Sequence, residues 1–131
     1  MGSFSNYAEN KILDHIVGKT SYTMPTAYIA LSTADPTDAG TGLTEPVGGA
    51  YARKATTGAD WAAAASGATS NATVLSFPQA TGSWGTITHF ALMDAATAGN
   101  MIGHGALTAS KVISTGDTAT FSIGDLDITL D

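Results

Sequence analysis

The sequence contains no cysteine among its 131 residues, which removes thiol nucleophiles, disulfide staples and thiolate metal sites together. Cations are nearly as scarce: Lys11, Lys19, Arg53, Lys54 and Lys111 stand against eleven acidic residues, for a formal net charge of −6. A binder of phosphate backbones needs clustered cations to release counterions. Nucleic acid is therefore not an expected partner, and neither is an anionic membrane surface. No apolar run approaches the roughly 20 residues needed to span a bilayer. Residues 1–6 lack the charged start and apolar stretch of a secretory signal, so synthesis without export is expected.

What is present is small. Ala, Thr, Gly and Ser make up 69 of the 131 residues, side chains that lose little rotamer freedom on ordering and let backbones approach closely. With sparse charge, abundant Thr and regular Gly punctuation, the composition suits β-structure with tight turns and not a disordered tail. The length fits one domain over residues 1–131, which can bury about two thirds of its unfolded surface without staples.

Local patterning predicts one helix, over about residues 6–17, followed by a β-region over about 26–131. Asn6 is positioned to cap the helix, with Glu9 three residues on as the answering half of a capping box. Ala8, Ile12, Leu13, Ile16 and Val17 share one face at helical spacing, and Gly18 suits a left-handed end. After Pro25 the period becomes two, and Ala27, Ile29 and Leu31 share a face. Residues 33–49 are rich in Pro, Gly, Thr and Asp, a long connection of the kind that is usually functional or mobile. Short strands are expected over 51–57 and 73–77, with Leu75 and Phe77 on one side. Between them, the Ala-rich stretch beginning Ala59-Asp60-Trp61 fits either a helical turn or a loop.

Apart from Thr88 and His89, residues 87–93 are apolar on both faces and predict a central strand, with His89 on the parity of Ile87, Ala91 and Met93. A further strand is expected over 101–107. The C-terminus alternates cleanly, but its parity breaks at Gly124-Asp125, a pair that favours a tight turn. A hairpin there would set Ile123 against Leu126, Phe121 against Ile128 and Ala119 against Leu130. A bulged continuous strand would also repair the parity. The sum is a mainly β fold: an antiparallel β-sandwich or barrel-like domain of about seven short strands, with one N-terminal amphipathic helix.

Candidate chemistry is thin. His15, His89 and His104 show no helical i, i+4 pairing of the kind that starts a zinc site, and structural roles are expected for all three. No Gly-x-Ser-x-Gly turn is present, and Gly48-Gly49 and Gly40-Thr41-Gly42 lack the Lys-Ser or Lys-Thr of a phosphate loop. Asp35 and Asp38 share the long loop, while Asp125, Asp127 and Asp131 share a strand face, but neither set has calcium-loop spacing. Asn71-Ala72-Thr73 matches the glycosylation acceptor pattern, without an export signal to give it meaning. Trp61 and Trp84 could stack on a sugar, although large aromatics in so small a chain usually belong to the core. Trp84 sits in a turn-like Gly82-Ser83-Trp84-Gly85 that leaves exposure open. No catalytic, cofactor or metal residues are expected, and Asp35, Asp38, Glu45 and Trp84 are the candidate partner contacts.

Several segments, taken in order, resemble a family of small tailed-bacteriophage virion structural proteins, often labelled tail fibre or decoration-like. They are Ser5-Asn6-Tyr7-Ala8-Glu9-Asn10, Ala30-Leu31-Ser32-Thr33-Ala34-Asp35-Pro36-Thr37 and Gly49-Ala50-Tyr51-Ala52-Arg53, then the run from Phe77-Pro78-Gln79 through Gly82-Ser83-Trp84-Gly85, His89-Phe90-Ala91, and Gly124-Asp125-Leu126-Asp127-Ile128. The resemblance covers nearly the whole chain. It implies a non-enzymatic part of the virion, made in the host cytoplasm, with other virion proteins as partners and homo-oligomerisation expected. Fibres usually extend through coiled or interwoven repeats, and this chain has neither heptads nor a repeat. The expected role is therefore a capsid decoration or cement protein that binds the major capsid protein and stabilises the head. The alternative is a tail-associated fibre or adhesin that binds a host surface glycan.

Overall fold

A nine-residue strand, Gly85–Met93, organises the fold, and its apolar half, Phe90–Met93, is buried on both faces. The structure, a computed structural model, describes residues 2–130. In chain order its elements are β1 (Gly2–Phe4), α1 (Asn6–Ile16), β2 (Tyr28–Ser32), β3 (Lys54–Ala55), β4 (Ala68–Ser70), β5 (Leu75–Ser76), β6 (Gly85–Met93), β7 (Met101–Ile113), β8 (Thr120–Phe121) and β9 (Asp127–Thr129). Seven strands form one curled sheet in the order β3-β2-β6-β7-β1-β9-β4, a half-barrel, and β5 pairs with β8 in a separate ribbon. The fold is mainly β with one N-terminal helix, as the composition predicts. All pairings are antiparallel except β1 with β9, which run parallel.

The main core lies inside the curl, where Ile29, Leu31, Leu75, Phe77, Trp84, Ile87, Phe90, Leu126 and Ile128 pack together. A smaller cluster of Ala30, Ala91, Met93 and Met101 lies on the opposite face of β2, β6 and β7, with Tyr28 and Leu43 against it. His89 does not share a face with Ile87 as the alternation suggests. The register slips between the two: Ile87 aligns with Lys111 and His89 with Ala106, so residues 107–110 of β7 face a single residue, Thr88. That bulge turns Ile87 into the core beside Phe90 and Leu92.

The C-terminal hairpin does not form. A turn exists, with Gly124 at φ +83° and Asp125 N–H donating to Ser122 O, but it passes the chain from the ribbon to the curled sheet. Phe121 aligns with Leu75, whereas Ile128 aligns with Gly2 and Thr69. Asn71, 1 % exposed, explains why the arms part. Its Nδ2 donates to Ser122 O and Thr73 O (2.8 Å each), and its Oδ1 accepts from Leu126 N–H (2.9 Å). The turn therefore closes around another segment's amide and not around itself. Ile123 and Leu130, expected inward, are exposed, and Asp131 lies outside the described residues.

Other short-range expectations are adjusted in similar ways. The predicted strand over 51–57 shrinks to Lys54–Ala55, because Tyr51 leaves the sheet to enter the core margin. The Ala-rich segment is a single 3₁₀ turn, Gly58–Asp60, followed by bridges from Trp61 to Asn71 and from Ala65 to Ala68. The helix is capped by Ser5 and not Asn6: the Ser5 Oγ accepts from Ala8 N–H and donates to Met101 O, so the cap is fixed by β7. At the other end Gly18 adopts φ +76°. Gly18 N–H reaches His15 O, and Lys19 N–H reaches Asp14 O, the paired bonds of a Schellman ending.

Candidate functional site

The long connection over residues 33–49 is a closed, hydrogen-bonded loop. Ser32 Oγ donates to Ala34 O and accepts from Thr44 N–H, while Thr33 N–H donates to Thr44 O, so the two ends meet. Inside, Asp35 Oδ1 accepts from Thr37 N–H and Pro36 O accepts from Gly42 N–H, around a fully buried Pro36. A Cβ at Gly42 would lie 2.0 Å from Asp35 O, so this turn admits only glycine. Such self-packed loops present a fixed surface on a rigid scaffold.

The loop is tied to the body by side-chain contacts at two points. His104 of β7, with its side chain 13 % exposed, meets Asp38 Oδ1 through Nε2 at 2.7 Å, and its Nδ1 lies 4.0 Å from Asp35 Oδ1. Asp38 O also accepts from Asn6 N–H at the start of α1. Asp38 thus joins loop, sheet and helix, while both aspartates remain more than 60 % exposed.

At the far end Glu45 forms a forked pair with Arg53, Nε to Oε1 at 2.9 Å and Nη2 to Oε2 at 2.7 Å, and accepts from Tyr51 Oη at 2.7 Å. The Arg53 Nη1 donates to Ala95 O and Ala98 O, so the guanidinium also holds the 94–100 turn. Burial alone would raise the Glu45 pKa, but the hydrogen bonds from Arg53 and Tyr51 hold it below the usual carboxylate range. Burial pushes the Tyr51 hydroxyl up, and its bond to Glu45 pushes the same way. Arg53 is raised chiefly by its bond to Glu45.

Of the four candidate contacts, Asp35 and Asp38 are surface groups on one loop. Glu45 is turned inward onto Arg53. Trp84 is a core residue, 3 % exposed, and not a surface platform. Its Nε1 donates to Gly49 O at 2.8 Å, and its ring meets Tyr51 edge-on at 5.2 Å. The glycine-rich turn around it brings Gly49 and Gly82 together over the ring instead of exposing it. Trp61 is half-buried, with its Nε1 bonded to Thr56 Oγ1.

The histidines each have a separate partner. His15 Nδ1 accepts from Tyr22 N–H, His89 Nδ1 shares a hydrogen bond with Thr88 Oγ1, and His104 holds Asp38. Among the described residues, no group of three or more His, Asp or Glu is arranged to hold a metal ion.

The apolar side of α1 is where pattern and packing part company. Ala8 is buried, but Leu13, Ile16 and Val17 are 61–74 % exposed, and Met24 in the following segment is 90 % exposed. Only the first turns of the helix, through Ser5 and Ala8, are seated on the body. The last turn carries its apolar face into solvent.

No curated protein matches this chain. A family model described as podophage GP4 fiber I protein gp80 matches residues 3–129, nearly the whole length. The chain belongs to that family of phage fibre proteins, which gives it a structural role in the virion.

Proposed function

We propose that the protein is a non-enzymatic part of a tail fibre assembly, held to other virion proteins through its surface and present as a homo-oligomer. The carrying observation is the division of its side chains. The polar groups that could have served chemistry are already engaged: Glu45 with Arg53, and His104 with Asp38. Leu13, Ile16 and Val17 meanwhile stand in water on an ordered helix. Burying a Leu, Ile or Val fully is worth about 1.5–3 kcal/mol each, so this face is suited to a protein partner. Asp35 and Asp38 stay exposed on the loop that meets the start of α1, and Glu45 and Trp84 contribute by fixing the loop's shape.

The second reading is a decoration protein seated on the major capsid protein. It is favoured by the curled fold itself, which has no heptad or repeat from which to extend a fibre. Both readings share synthesis in the host cytoplasm. A glycan-binding role would have to rely on the loop alone, since Trp84 offers no exposed ring.

The test is to locate the protein in purified particles by antibody labelling and reconstruction, and to repeat the assembly with Leu13→Asn and Ile16→Gln together. We expect label at the fibres, and a folded variant that is left out of particles. Stoichiometric label over the head would favour the decoration reading. Normal incorporation of the variant would refute a role for the helix.

A further inference from the structure

The chain carries an apolar knob and an apolar hole, and neither is occupied by the chain itself. The knob is the last turn of α1, where Leu13, Ile16 and Val17, spaced i, i+3 and i+4, stand exposed on one side. Among the described residues, no other element exposes more than one large apolar side chain. The helix sets out where Asn6 N–H meets Asp38 O, beside His104. His104 aligns with Ala91, so this anchor lies on the face of Ala91 and Met93, opposite the main core.

The hole opens on the other face, between β7 and β8. A tight turn joins these strands, with Asp117 N–H donating to Ser114 O, yet β7 stays with β6 while β8 leaves to join β5. The cleft between them measures about 640 Å³. Its floor is Leu31, Ile87, Phe90 and Leu126 of the main core, and its walls are small residues, chiefly Ala106 and Ala109. Cutting one buried leucine back to alanine leaves a cavity of roughly 150 Å³. The cleft therefore has room for the three aliphatic side chains of one helical turn.

The charges are complementary too. Asp14 and Lys19, both exposed, border the apolar turn, and Lys111 and Asp125, both exposed, line the cleft. A single seating can set Asp14 against Lys111 and Lys19 against Asp125, whose carboxylate is already steadied by Ser122 N–H. A knob set against the same knob of another copy would cover only one side of each side chain, whereas a cleft surrounds it and excludes water. We propose that the last turn of α1 in one copy seats in the β7–β8 cleft of the next. The contact is heterologous, so copies add head to tail, into a ring if the rotation closes and a filament if it does not. A compact fold with neither heptads nor an internal repeat extends by this route.

This inference names the interface of the homo-oligomer proposed above and rests on that reading. It is tested by sedimentation velocity of the purified chain over a concentration series, with circular dichroism to confirm that each variant folds. Leu13→Asn with Ile16→Gln removes the knob, and Ala109→Arg fills the cleft from one wall. If the latter does not fold, Thr118→Arg on the other wall replaces it. We expect the wild type to grow beyond a monomer with concentration, and each variant alone to associate at least about 30-fold more weakly. Mixed in equal amounts, the two variants should form a heterodimer that grows no further, because one brings the intact knob and the other the intact cleft. Variants that stay apart when mixed overturn the proposal. A folded cleft variant that associates like the wild type also overturns it, while leaving the homo-oligomer standing. A wild type that stays monomeric throughout removes both.

Discussion

Replacing Asn71 by alanine should unfold the junction between the two sheets. Three side-chain hydrogen bonds disappear, to Thr73 O, Ser122 O and Leu126 N–H. The Leu126 donor is the costly one, because that residue is fully buried and no water can replace the lost partner. An orphaned buried donor costs about 1–3 kcal/mol and an ordinary bond about 1 kcal/mol, so about 3–5 kcal/mol is expected in all. For a chain of this length each kcal/mol moves the midpoint by roughly 3–5 °C, interpolating between shorter and longer domains, giving a fall of about 9–25 °C by calorimetry. Asn71→Asp is expected to be worse at neutral pH, since an ionised carboxylate would face two carbonyls. It should recover in part under acid, where the protonated group regains a donor. A fall of less than about 3 °C for Asn71→Ala would refute the claim that this amide holds the turn. The same geometry answers the acceptor pattern Asn71-Ala72-Thr73: both amide hydrogens are engaged and the side chain is buried.

Glu45 has a lowered folded pKa, so its contribution is complete above the ordinary carboxylate range and is lost as pH falls through the lowered value. Glu45→Gln should therefore lower the midpoint at pH 7, and converge with the wild type in acid when melting is followed against pH. Gly42→Ala forces a Cβ onto Asp35 O, and we expect limited proteolysis to cut within residues 35–42 of the variant but not of the wild type. Trp84→Phe removes the indole bond to Gly49 O, for which about 1–2 kcal/mol in urea denaturation is expected. A neutral result would mean that the ring's packing, and not its donor, secures the loop.

The sequence made the class of fold legible because strand and helix periods differ and both are well marked here. The central position of residues 87–93 was legible for the same reason. What pattern could not supply was pairing over distance. Phe121 and Ile128 look like hairpin partners because each alternates correctly with its own neighbours, and alternation says nothing about which strand lies alongside. The true partners, Leu75 for one and Gly2 with Thr69 for the other, are separated by 46 to 126 positions in the chain. The only local sign of the separation is Asn71, a polar residue whose burial is invisible without its three partners. The bulge opposite Thr88 was hidden likewise, since residues 107–110 carry no unusual composition. For the loop, its length singled it out, and Gly42 marks its tightest point, but the inward turn of Glu45 depends on Arg53 arriving from beyond it.

The helix shows a different limit. Ala8, Ile12, Leu13, Ile16 and Val17 form a stripe that any reading of periodicity assigns to a core. The body uses only the N-terminal part of that stripe: Ala8 is buried, Ile12 is half-buried, and exposure rises to 74 % at Ile16 and Val17. Nothing local forces this, because Gly18 and the bonds from its neighbours end the helix in an orderly way. An ordered helix with an open apolar turn is not a misread core. Periodicity states that a face is to be buried and leaves open which chain buries it. Isolated helices of 11 residues are marginal in water, so α1 draws its order from the Ser5 cap on β7 and the Asp38 contact at Asn6. The free end is thereby held at a fixed angle before any partner arrives. A preset anchor of this kind lowers the ordering cost of association, which is the physical sense in which this small fold is built to be one part of a larger particle.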